Sequence, residues 1–188
     1  HDPSGDLRRL LNALEADWQL LDLSYDVALL ATIQPILRAG KWGVTVAVRQ
    51  GEQIVALWPG LKDTIYGVAV DVGSTTIAAH LCNLSSGEVV ASAGVMNPQI
   101  RFGEDLMSRV SYVMMNPGGE VDMTNAVREA LNGLEKDLVK QAQCETTDIL
   151  EITFVANPIM HHLLLGINPV ELGGAPFALA TDMAVSTL

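Results

Sequence analysis

Cysteine is almost missing from this 188-residue chain, with Cys82 and Cys144 the only two. Their spacing matches no metal-ligand pattern, and two thiolates cannot hold a four-thiolate iron–sulfur cluster. The pair reads as small buried hydrophobes of a reducing compartment, which places the chain in the cytoplasm. Basic residues are scarce too: 11 Lys and Arg stand against 22 Asp and Glu, for a formal charge of -11. Nucleic acid and anionic membrane surfaces both demand clustered cations, so neither is expected as a partner. Acidity alone is an ordinary route to solubility. No apolar run approaches the ~18 residues of a membrane span, and the opening HDPSGDLRRL has no signal-peptide apolar core. That opening reads as a cut rather than a natural start. Aromatic residues make up 5% of the chain, so the core has to be built from Ala, Val, Leu and Ile.

What is present falls into two stretches of different grammar. In residues 1–63, GDLRRLLNAL and SYDVALLATIQPILRAG have helical apolar spacing, with Pro35 expected to split the second into two short pieces. WGVTVAV and QIVALWPG read as a hairpin around RQGE, giving a small α+β domain that ends at the polar joint GLKDT. Residues 64–188 open with three runs, YGVAVDV, TIAAHLCNL and EVVASAGVM, joined by short turns as an antiparallel meander. A helix follows with Leu106, Val110, Val113 and Met114 on one face. After NPGG comes a longer one with Met123, Val127, Ala130, Leu131, Leu134 and Leu138 at 3.6-residue spacing. LEITFVA reads as a buried strand returned parallel to the sheet, and Asn157-Pro158 as the N-cap and first residue of a last helix. This α/β order suggests a ribonuclease-H-like lobe.

Three motifs carry chemistry. In Asp71-Val72-Gly73-Ser74-Thr75-Thr76, Gly73 is expected to allow positive φ and a close approach of backbone amides to an anion. Ser74, Thr75 and Thr76 add donors for phosphate oxygens, and Asp71 could hold Mg2+ through a water. A bland polar turn is the alternative, and no Walker-type lysine motif is present. In NPQIRFGEDLMSR, the residues Asn97, Gln99, Glu104 and Asp105 face either a ligand or nothing, since acids at a helix start also complement its dipole. In VANPIMHHLLLG, adjacent His161 and His162 point about 100° apart and do not converge on a metal. One is expected buried and the other exposed. Asn157 at the strand end is a candidate contact, although capping explains it equally well.

Together YGVAVDVGSTTIAAHLCNLSSGEVV, NPQIRFGEDLMSRV and VANPIMHHLLLGINP resemble the reductive activators of corrinoid proteins, and ILRAGKWGVTVAV resembles that family's middle domain. The resemblance implies a middle α+β domain over 1–63. Over 64–188 it implies the first ribonuclease-H-like lobe of an acetate/sugar kinase–Hsp70–actin nucleotide-binding domain. It implies ATP and Mg as cofactors of the complete protein, with Asp71, Gly73, Ser74, Thr75 and Thr76 as the first phosphate loop. Asn97, Gln99, Glu104, Asp105 and Asn157 fall in matching motifs. A 2Fe–2S ferredoxin-like domain in the parent would pass an electron to a corrinoid protein or corrinoid methyltransferase, taking Co(II) to Co(I). A homodimer is implied by the family alone. Where the family usually reads Val-Gly-Asn-Thr-Ala, this chain has Ala156 and Pro158. With no cysteine quartet and no second acidic-glycine turn, the chain reads as a fragment, expected to be inactive as an ATPase alone. Two rivals share the phosphate turn: a sugar or carboxylate kinase of the same superfamily, and a non-catalytic actin-like scaffold.

Overall fold

The computed structural model describes residues 3–186. They divide into two compact units, one running to Ile65 and the other starting at Tyr66.

In the first unit, α1 (Asp6–Trp18) is followed by β1 (Ser24–Tyr25), α2 (Val27–Ala39), β2 (Val44–Arg49) and β3 (Gln53–Pro59). The three strands form one sheet in the order β1-β3-β2, with β2 and β3 antiparallel and β1 parallel to β3. Leu10 and Leu14 of α1 pack with Leu23, Ile54 and Leu57, so each helix contributes one apolar stripe to a small core. Two expectations need correction. Ser24 and Tyr25 pair with Gln53 and Ile54 as an edge strand instead of opening a helix, and Asp26 then caps α2 through the Ala28 amide at 2.6 Å. Nor does Pro35 split that helix, which runs unbroken from Val27 to Ala39. Proline removes one backbone donor, but burial of Ile33 and Leu37 on the inner face holds both halves in line.

The second unit is built on a four-stranded sheet ordered β6-β5-β4-β7, comprising β4 (Tyr66–Val72), β5 (Thr76–Asn83), β6 (Val89–Met96) and β7 (Ile149–Ala156). The first three are an antiparallel meander, and β7 lies parallel to β4 after the crossover through α3 (Leu106–Met115) and α4 (Gly119–Ala142). Alternate residues Val68, Val70, Val72, Ile77, Ala79 and Leu81 face the core. There they meet Val127, Leu134 and Leu138 of α4 and Met160 and Leu163 of α5 (Pro158–Leu165). This meander with a parallel fourth strand is the ribonuclease-H-like α/β lobe of the actin and kinase type.

Three details differ from the pattern read in the sequence. Met114 is 60% exposed, while Arg109 occupies the buried stripe of α3 beside Val110 and Val113. LEITFVA is not a buried strand: Ile152, Phe154 and Val155 are all exposed, because β7 is outermost in the sheet and pairs only with β4. The cysteines are free and half-buried rather than fully enclosed.

Candidate functional site

The turn between β4 and β5 is short, and its polarity is sorted. Gly73 N–H donates to the Thr76 carbonyl at 3.0 Å, closing the loop on itself. The Gly73 carbonyl accepts from Asn97 Nδ2 at 2.8 Å, the Thr75 carbonyl from Asn97 N–H at 2.8 Å, and the Ser74 carbonyl from Arg109 Nη2. All four carbonyls from Gly73 to Thr76 are therefore engaged within the protein. Among the described residues, the amides of Ser74 and Thr75 and the hydroxyls of Ser74, Thr75 and Thr76 donate to no protein acceptor. Thr75 and Thr76 are exposed and Ser74 is half-buried. A loop with its acceptors consumed and its donors unspent has hydrogen bonds to offer an anion. Its donor set fits a phosphate group.

Glycine is required at position 73 for a reason other than the one expected. Its φ is not in the left-handed region; instead a Cβ there would lie 2.7 Å from the Thr76 carbonyl oxygen. Close approach of backbone to backbone, and not positive φ, excludes a side chain.

Behind the turn lies a buried polar layer. Asn97 Oδ1 accepts from Gln99 N–H at 2.9 Å, and Gln99 Nε2 donates to the Met123 carbonyl at 3.0 Å. Arg109 donates from Nε to the Gly103 carbonyl at 3.0 Å and from Nη1 to Met160 Sδ at 3.1 Å, with Gln99 Oε1 at 3.4 Å. Asn97, Gln99 and Arg109 are all buried. Desolvation holds the Arg109 guanidinium below its ordinary value, with the charge of Asp105 opposing that shift. Sequence reasoning missed Arg109. The available signal was its place three residues after Leu106 and one before Val110, on the inward stripe of α3.

The remaining candidates sit around this layer. Asp71 is exposed on the sheet face away from the core, paired in register with Ala78 and Val155. Asn157 follows Ala156, which pairs with Val72, so it stands at the same strand end as the turn. Its side chain caps α5 by accepting from Met160 N–H at 3.0 Å. Glu104 is exposed, and Asp105 caps α3 by accepting from the Ser108 amide at 2.7 Å and hydroxyl at 2.9 Å. Those two bonds hold the Asp105 carboxyl below its ordinary value, the amide contributing most. The structure thus groups Gly73, Ser74, Thr75, Thr76 and Asn97 and sets Gln99 behind them. Glu104 and Asp105 join this group only through the bond of Arg109 to Gly103 in their loop.

The histidines do not converge. His162 is buried, with Nδ1 on the Pro158 carbonyl at 2.7 Å and Nε2 accepting from Ala180 N–H at 3.1 Å, while His161 is half-buried beside it. Among the described residues, no group of three or more His, Cys, Asp or Glu is placed to hold a metal ion. No helix among them is long and apolar enough to cross a membrane.

Comparison with known proteins identifies the family. The family described as the RACo middle region matches residues 66–187, and that described as the RACo linker region matches residues 1–64. The chain is 35% identical over 129 residues to the "Corrinoid activation enzyme RamQ" of Eubacterium limosum, covering 68% of this chain and 22% of that protein. A solved "Reductive activator for corrinoid,iron-sulfur protein" superposes with a TM-score of 0.78 at 31% identity, covering 95% of this chain and 29% of that one. The chain thus spans less than a third of the length of either relative. With both of its units matched in order, the chain belongs to the RACo family of reductive corrinoid activators.

Proposed function

We propose that this chain supplies the ATP-phosphate turn of a longer, ATP-dependent protein that reduces Co(II) corrinoid proteins to the Co(I) state needed for methyl transfer. The observation that carries the reading is the sorted polarity of Gly73–Thr76, whose carbonyls are engaged inward while two amides and three hydroxyls are left to a ligand. The names of both relatives, one a corrinoid activation enzyme and one a reductive activator, support the corrinoid protein as partner. ATP, when bound, supplies the free energy that favours an otherwise uphill electron transfer.

The chain's own residues do the positioning. The Ser74 and Thr75 amides and the hydroxyls of Ser74, Thr75 and Thr76 would hold the phosphate oxygens. Asp71, exposed on the open face, would hold Mg2+ through a water, since that ion keeps several waters. Asn97 and Gln99 hold the turn from behind. Asn157 fixes the neighbouring strand end, and Glu104 and Asp105 border the site. A 2Fe–2S cluster does not fit this chain, whose two cysteines stand at 82 and 144, so no electron-transfer step is assigned to it. A cytoplasmic location and a homodimer belong to the same reading.

A sugar or carboxylate kinase would use the same turn. The visible spectrum of the complete protein separates the two, with iron and acid-labile sulfide quantified. An iron–sulfur spectrum is expected; a colourless, iron-free protein that still binds ATP and phosphorylates a small molecule would replace the activator with the kinase.

A further inference from the structure

Arg109 is fully enclosed, at 0% exposure, yet every group it touches is neutral. Its partners are the carbonyls of Ser74 and Gly103, the amide oxygen of Gln99 and the sulfur of Met160. Among the described residues it forms no ion pair: Asp105, the carboxylate whose charge it feels, is exposed and spends both oxygens on Ser108. A buried cation with no counter-ion is among the most costly groups a protein can enclose. Carrying it only to fasten loops would be wasteful, because neutral Asn97 fastens the same turn with two bonds.

We propose that Arg109 is the electrostatic positioning residue of the phosphate turn: its uncompensated charge, one peptide group behind the Ser74 and Thr75 donors, selects highly charged over less charged anions. The carbonyl of Ser74 accepts from the guanidinium, which aligns the adjoining peptide dipole with its N–H toward the ligand side. The charge also acts across a buried layer formed by Gln99, Met160 and Asn97, where screening by bulk water and salt is weak. Arg109 touches no ligand and transfers nothing. This inference rests on the phosphate reading of the turn.

The two can be separated by titrating the 188-residue chain with tripolyphosphate and with inorganic phosphate while following the Ser74 and Thr75 amide resonances. The unsubstituted chain is expected to prefer tripolyphosphate. Arg109→Gln should lose about tenfold in tripolyphosphate affinity and less for phosphate, whereas Arg109→Lys should stay within about threefold. A purely structural arginine would instead weaken both ligands equally and leave their ratio unchanged. If Arg109→Gln remains folded with the ratio unchanged, the inference fails and the phosphate turn stands. If the unsubstituted chain binds neither anion, both fail. Should Arg109→Gln not fold, the Nε–H resonance of Arg109 in the unsubstituted chain decides. It is expected to shift on addition of tripolyphosphate, and an unmoved signal while Ser74 and Thr75 shift would overturn the proposal.

Discussion

At the scale of single residues, the turn is an arrangement of donors and acceptors, and Asn97 is its central fastening. One side chain and its own amide hold two carbonyls of the turn, and its Oδ1 receives the Gln99 amide. Asn97→Ala keeps the backbone bond to Thr75 but leaves the Gly73 carbonyl and the Gln99 amide unsatisfied in a buried place. We expect a loss of about 2–4 kcal/mol in urea unfolding with an unchanged slope. A loss below about 1 kcal/mol would mean that the brace does not hold the turn. The turn itself was legible in the sequence, because glycine and hydroxyl residues interrupt two apolar runs between β4 and β5. Arg109 was not legible. Charged residues ordinarily take an outer helix face, and its partner at Ser74 is 35 residues away in the chain. For Gly73 the residue type was right and the cause was different, since only coordinates reveal that Thr76 closes over it.

Among the elements, periodicity did well where one face is buried and poorly where the neighbour decides. The long helix α4 follows its apolar spacing, with Met123, Val127, Leu134 and Leu138 all enclosed. The meander also follows from alternation and short turns, as β4 and β5 bury every second residue. LEITFVA has the composition of a central strand, yet β7 ends the sheet, and composition carries no information about what lies beyond an edge. Pro35 illustrates the opposite error, since a local breaking signal was overridden by packing on Ile33 and Leu37. An open outer strand with Ile152, Phe154 and Val155 exposed is a template for unwanted pairing. Val155, at 66% exposure, is the most open of these. Val155→Lys should lower the concentration-dependent light scattering of the 188-residue chain without changing its circular dichroism. Unchanged scattering would show that the β7 edge does not drive association.

For the molecule as a whole, the two units match the linker and middle regions of one family, in order along the chain. The linker-matched unit offers a small three-stranded sheet with a thin core. The middle-matched unit offers the sheet end where the turn, the Asn97 layer and the Asn157 cap meet. In the proposed function, this chain's contribution to reduction is nucleotide binding and its coupling to the rest of the longer protein. The most direct test of that claim is the rate at which the Co(II) spectrum of a corrinoid protein disappears under a low-potential reductant. It would be measured with the complete protein in the presence and absence of MgATP. The proposed function predicts conversion to Co(I) that depends on ATP. Equal rates with and without ATP, or no loss of Co(II) under either condition, would contradict it.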